Sequence, residues 1–194
     1  MAIKPILFNT EMVRAILDGR KTCTRRLVRF LPGENPQWTG YIRDGLMLYN
    51  GRNEPCIIKV PYQPGDTLYV RETWCGLPVN EAGHMRGHTI YYYKADGELR
   101  PKGWRGTWHP SIHMPKEAAR IWLKVTDVRV ERLQDMTDDD AEAEGCFDYT
   151  STALGFFDVW DSTIKKSDLD RYGWNANPWV WVIEFERCEK PEGV

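Results

Sequence analysis

The chain has no apolar run near the length of a membrane span, no Cys-x-x-Cys pair and no surplus of charge of either sign. The first absence argues against a membrane helix and a membrane partner. The N-terminus also lacks a basic segment followed by an apolar one, so the expected location is cytoplasmic. Cys23, Cys56, Cys75, Cys146 and Cys188 are odd in number and widely spread, which reads as reduced thiols and not a disulfide frame. Histidines number four, in two pairs at four-residue spacing, His84/His88 and His109/His113. On a helix that spacing binds zinc. Gly83, Gly87, Pro110 and Pro115 argue against helix in both places, so neither a metal nor a cofactor is expected. With 26 basic and 28 acidic residues the net charge is −2, which excludes a generally cationic nucleic-acid coat. Contact with RNA would need a local basic patch. No internal repeat and no low-complexity tract is present.

What remains is an ordinary globular composition in 194 residues, read as a single domain over 1–194 with a loop-rich insertion at 75–110. Strands are predicted at 4–8, as a pair within 40–49, at 67–74, 89–93, 121–133 and 179–185, the long 121–133 run alternating apolar and polar residues. Helices are predicted over 9–18, with Thr10 as N-cap, over 137–144, with Thr137 as N-cap and Gly145 as stop, and over 154–164. Several strands, a few short helices and no βαβ rhythm give an α+β class with a small, partly open β-barrel.

The most informative stretch is Gly19-Arg20-Lys21-Thr22-Cys23-Thr24-Arg25-Arg26. It puts a lysine and a threonine beside a basic cluster, where a lysine can bind an oxyanion or, if neutral, take a hydroxyl proton. On a straight strand Lys21 and Thr24 would face opposite ways, so their convergence requires a bend. The plainer alternative is a solvated basic loop with a threonine in it. On the catalytic reading too Lys21 is expected as a loop lysine that buries little surface, so that its loss removes most turnover and barely affects stability. Cys23 is a possible nucleophile without a histidine partner in sequence. Arg14, Arg20, Lys21, Arg25, Arg26 and Arg29 form a basic zone, and Asp138-Asp139-Asp140-Ala141-Glu142-Ala143-Glu144 an acidic one. Glu72, at the end of a strand, is either a second functional carboxylate or the partner of an arginine. Among nine tryptophans, Trp122, Trp160 and Trp181 occupy periodic core positions, whereas Trp74, Trp104 and Trp108 are candidates for stacking on a base.

Four segments in order give the chain a resemblance to the ASCH domain group of the PUA-like superfamily. They are the helix with Gly19-Arg20-Lys21-Thr22-Cys23-Thr24-Arg25, the Pro64-Gly65-Asp66-Thr67-Leu68-Tyr69-Val70 turn and strand, the Met136-Thr137…Ala141-Glu142-Ala143-Glu144-Gly145 segment, and Val182-Ile183-Glu184-Phe185. The Pro110-Ser111-Ile112-His113-Met114-Pro115 run and the strand after it further resemble larger ASCH-like proteins of phages and prophages. The resemblance implies a cleft for RNA or a nucleobase. Small bacterial members are N4-acetylcytidine amidohydrolases, whose roles would fall on Lys21, Thr24 and Glu144 as catalytic residues. Arg20, Arg25, Arg26, Glu72, Trp74 and Trp108 would then contact the ligand, a modified nucleoside or RNA. Other members are thought only to bind RNA or are credited with ribonuclease activity.

Overall fold

The computed structural model describes residues 1–29, 42–43, 46–47, 58–79, 88–97, 106–146 and 152–193. In chain order the elements are β1 (Ile3–Leu7), α1 (Thr10–Leu17), β2 (Cys23–Leu27), β3 (Ile42–Arg43), β4 (Leu46–Met47), β5 (Ile58–Lys59), β6 (Thr67–Arg71), β7 (Trp74–Val79), β8 (His88–Tyr93), β9 (Trp122–Arg132), α2 (Asp138–Ala143), α3 (Thr152–Thr163), α4 (Leu169–Tyr172) and β10 (Trp179–Cys188). The fold is α+β, and its sheets are open; they do not close into a barrel. Among the described residues no helix is long and apolar enough to cross a membrane. The chain divides into two compact units, Met1–Gly19 with Thr67–Lys124 and Arg187–Val194, and Arg20–Asp66 with Val125–Glu186.

In the first unit β1 runs parallel to β6, from Ile3 opposite Thr67 to Leu7 opposite Arg71. The start of β9 lies antiparallel on the other side of β6, Leu68 opposite Leu123. Ile6, Leu68, Val70 and Leu123 are the buried half of this alternation. α1 is capped by Asn9, not Thr10: the Asn9 Oδ1 accepts from the Met12 N–H at 2.8 Å, leaving Thr10 as the first helical residue. Its end is Gly19 at φ +74°, a left-handed position that suits glycine. β7 and β8 form a hairpin with Trp74 opposite Tyr93 and Gly76 opposite Tyr91. Residues 75–79, read as loop from sequence, are therefore strand. A side chain at Gly76 would lie 2.9 Å from Thr89 Cγ2 and 3.2 Å from the Trp74 ring, so the close ring packing requires glycine there. Trp74, Tyr91 and Tyr93 pack on Met114, Ala118, Ala119 and Trp122.

In the second unit β10 lies between β9 and β2. It runs antiparallel to β2, with Val182 opposite Arg25 and Ile183 opposite Thr24. β3, β4 and β5 form a small antiparallel sheet, in which β3 and β4 fall within the strand pair predicted at 40–49 and β5 does not. The core joins Cys23, Val180 and Val182 to Leu133, Ala141, Phe156 and Trp160. α2 starts with a reciprocal cap, in which the Asp140 N–H donates to Thr137 Oγ1 and the Thr137 N–H to Asp140 Oδ2. It ends in a Schellman motif: the Gly145 N–H donates to Glu142 O, and the Cys146 N–H to Ala141 O. Gly145, at φ +89°, is the left-handed residue this ending requires. Glu144 is thereby fixed as the C-cap of α2.

Candidate active site: a buried charge network on β2 and α2

The two residues before β2 complete the carbonyl end of α2. The Thr22 N–H donates to Ala143 O at 2.9 Å. Lys21 Nζ donates to Glu144 O at 2.9 Å and to Glu144 Oε2 at 2.5 Å. A cation at a helix C-terminus meets the negative end of its dipole, so Lys21 caps the helix and pairs its last carboxylate together. Lys21 is 3% exposed and Glu144 4%. The expectation of a solvated loop lysine is overturned by this pairing.

Arg25 carries the network inward, with its side chain wholly buried. Its Nη1 lies 3.6 Å from Glu144 Oε1, and its Nη2 lies 3.2 Å from Asp140 Oδ1 and 3.5 Å from Glu131 Oε2. Arg129 binds Glu131 and Glu184 at short range, and its Nη2 lies 3.6 Å from the same Asp140 oxygen. Burial opposes the Arg129 charge, but the hydrogen bonds to Glu131 and Glu184 hold this guanidinium well above its ordinary range. Burial likewise pushes the Asp140 carboxyl up. The Thr137 hydrogen bonds and the Arg25 charge outweigh it and hold Asp140 below the usual carboxylate range. The basic and acidic zones of the sequence are thus not two opposed faces. Lys21 and Arg25 are neutralised by the acids of α2 and β9.

Thr24 is 1% exposed and sits in regular strand, so no bend brings it round to the Arg25 side. Strand alternation puts Cys23 and Arg25 on one face of β2, Thr24 and Arg26 on the other. Thr24 Oγ1 accepts from Arg26 Nη1 at 2.9 Å. Desolvation pulls the Arg26 guanidinium down, while the charges of Glu144 and Tyr62 pull it back up. The structure therefore joins Lys21, Arg25 and Glu144 directly, while Thr24 bonds to Arg26, whose Nη1 also donates to the Arg25 carbonyl. Burial, then the Glu144 charge, pushes the Cys23 thiol up to about 12, which leaves no thiolate to act as a nucleophile.

No family profile and no curated protein matches the chain. It is similar to a solved ASCH domain. That structure comes from Lactobacillus crispatus JV V101, with a TM-score of 0.48 and 11% identity, over 96% of this chain and 79% of that one. The sequence motifs resemble the same domain group.

The remaining residues singled out in the sequence fall elsewhere. Arg20 is exposed at the start of the second unit. Arg14, in the first unit, donates to Glu11 Oε1 and to Ala95 O. Glu72, also in the first unit, is the partner of an arginine: Arg120 Nε and Nη2 donate to its two oxygens at 2.9 and 3.1 Å. Burial pushes the Glu72 carboxyl up, and Arg120 opposes that shift. Trp74 is half-buried, its ring 5.1 Å from that of His109. Trp108 is half-buried as well. Trp122, Trp160 and Trp181 are core residues, as their periodicity predicts. Trp104, Cys56 and His84 lie outside the described residues. Among those described, no group of three or more His, Cys, Asp or Glu could hold a metal ion. Glu131, Arg129 and Tyr62 were not legible as site residues. The first two alternate with apolar neighbours on β9 as any solvated strand face would, and Tyr62 lies in a turn.

Proposed function

We propose that the unit built on β2 and α2 is an amidohydrolase that removes the acyl group from an N4-acylated cytosine nucleoside or base. What supports this reading most is the buried Lys21–Glu144 pair, assembled from residues 123 apart in sequence. Its Glu144 Oε1 has no hydrogen-bond partner among the described residues. A carboxylate with one oxygen clamped and the other not hydrogen-bonded is suited to take up and return a proton.

In the proposed chemistry Thr24 Oγ1 attacks the acyl carbon, and the Lys21 ammonium stabilises the oxyanion. Glu144 takes the threonine proton through a relaying water and returns it to the departing N4 amine as the carbon–nitrogen bond breaks. The acyl group, held as an ester on Thr24, then leaves as a carboxylic acid: Glu144 deprotonates a water that attacks the acyl carbon, and its proton returns to Thr24 Oγ1 as the carbon–oxygen bond breaks. Arg26, donating to Thr24 Oγ1, orients the hydroxyl so that its proton points away from the guanidinium.

A second reading, a module that binds RNA or a modified base without turnover, is favoured by a different observation. Lys21, Thr24 and Glu144 are each at most 4% exposed, which suits a pair that holds α2 on β2. Incubation with N4-acetylcytidine separates the two. The hydrolase releases cytidine, and Glu144→Gln slows release by about two to four orders of magnitude while binding is kept. Nucleotide binding with no cytidine released establishes the second reading.

A further inference from the structure

Arg25 is surrounded by acids yet forms no aligned hydrogen bond with any of them. Its Nε and Nη2 lack a hydrogen-bond partner, and so does the facing Glu144 Oε1. The Nη1 instead points to Cys23 Sγ at 3.9 Å. One buried guanidinium is therefore shared, at 3.2 to 3.6 Å and without hydrogen-bond alignment, among Glu144, Asp140 and Glu131. The sharing decides what Glu144 receives. Alone with Arg25, a buried carboxylate would be drawn into a two-pronged pair that occupies both its oxygens. Asp140 and Glu131 pull the guanidinium the other way. Asp140 cannot follow it, because its second oxygen is tied to Thr137 by the cap of α2. Glu144 is left clamped by Lys21 on Oε2, with its buried Oε1 free of a hydrogen bond.

We propose that Arg25, held back by Asp140 and Glu131, is a positioning residue that fixes the Glu144 carboxylate while leaving Oε1 without a hydrogen bond and so able to exchange a proton. It is not a ligand contact: a guanidinium with no exposed surface, enclosed by acids, has no charge left for a phosphate. The turnover part of this proposal rests on the amidohydrolase reading; the geometric part does not.

The test uses Arg25→Met, which removes the shared cation, Arg25→Lys, which keeps its charge without the fork, and Asp140→Asn, which lets Arg25 move toward Glu144. The readouts are kcat and KM for N4-acetylcytidine, and the 13C carboxyl signal of Glu144 at fixed pH. Misplacement of a proton-transfer group by about an ångström can slow turnover roughly 100-fold. Arg25→Met is expected to lose kcat about 10- to 100-fold with KM nearly unchanged, Arg25→Lys to recover part of it, and Asp140→Asn to lower kcat as well. The Glu144 signal is expected to move in all three. Unchanged kcat in folded Arg25→Met, or an Asp140→Asn effect confined to melting temperature, overturns the proposal. Should Arg25→Met not fold, the other two variants decide it. Should the wild type release no cytidine, the amidohydrolase reading fails by itself and the carboxyl signal decides: displaced, it supports the positioning role; unmoved, it overturns it.

Discussion

Lys21 and Glu144 each meet the other's need, and removing one leaves a buried charge behind. Truncating one member of such a pair costs about 3–5 kcal/mol. Replacing both with apolar residues of similar volume is often neutral or stabilising. Lys21→Met and Glu144→Leu are therefore expected to lower the melting temperature by roughly 10 °C each. The double variant Lys21→Met/Glu144→Leu is expected to return close to wild type while releasing no cytidine from the acylated nucleoside. Thermal melts of the three proteins measure the first part and the turnover assay the second. A double variant as unstable as the singles would mean that the pair's hydrogen bond to the Glu144 carbonyl matters more than its charges.

At the scale of the element, α2 was the most legible part of the molecule and β2 the least. Thr137, the acidic run and Gly145 announce the cap, body and stop of α2 by their types alone, and the structure shows each in that role. β2 has no such signature. Thr24, Arg25 and Arg26 are polar on both faces of the strand, because one face meets the acids of α2 and β9 and the other carries the Thr24–Arg26 bond. A polar strand stabilised by charge partners more than a hundred residues away reads as a basic loop. The six-residue α2 also carries a pH dependence. The Asp140 carboxyl is held below its ordinary value of 3.8, so the folded state binds its proton less readily than the unfolded chain. Its stabilisation is complete above that value and is lost as pH falls through the lowered one. Glu72 has the opposite sign: its raised carboxyl favours folding at low pH and loses that contribution as pH rises past its ordinary 4.5. Melting temperature is expected to fall more steeply in wild type than in Asp140→Asn between about pH 5 and pH 2. Scanning both proteins over that interval checks it, and parallel slopes would assign the acid loss to other groups.

At the scale of the whole molecule, the net charge of −2 proved a better guide than the basic cluster inside it. Of the N-terminal cations, Lys21 and Arg25 are buried among acids and Arg14 pairs with Glu11, whereas Arg20 and Arg29 are exposed. Arg20 and Arg29, one phosphate contact each, would contribute no more than about −1.4 to a salt slope for single-stranded RNA. Substituting Arg20 and Arg29 with alanine is expected to flatten log affinity against log salt by about that amount, and Lys21→Met/Glu144→Leu to leave it unchanged. Filter binding across a salt series measures both, and flattening by the Lys21 variant would show that the pair opens to solvent. The pairing of β2 with β10 has a consequence for biosynthesis. Residues 23–27 find their hydrogen-bonding neighbours only at 180–184, more than 150 residues later. At translation rates of 5–20 residues per second, β2 waits roughly 10–30 s after it is made before β10 exists. During that interval its arginines are solvated and nothing holds Lys21 against the end of α2. A nascent chain stalled before β10 would carry Lys21, Thr24 and Glu144 with no strand to array them, so the proposed activity would wait for β10.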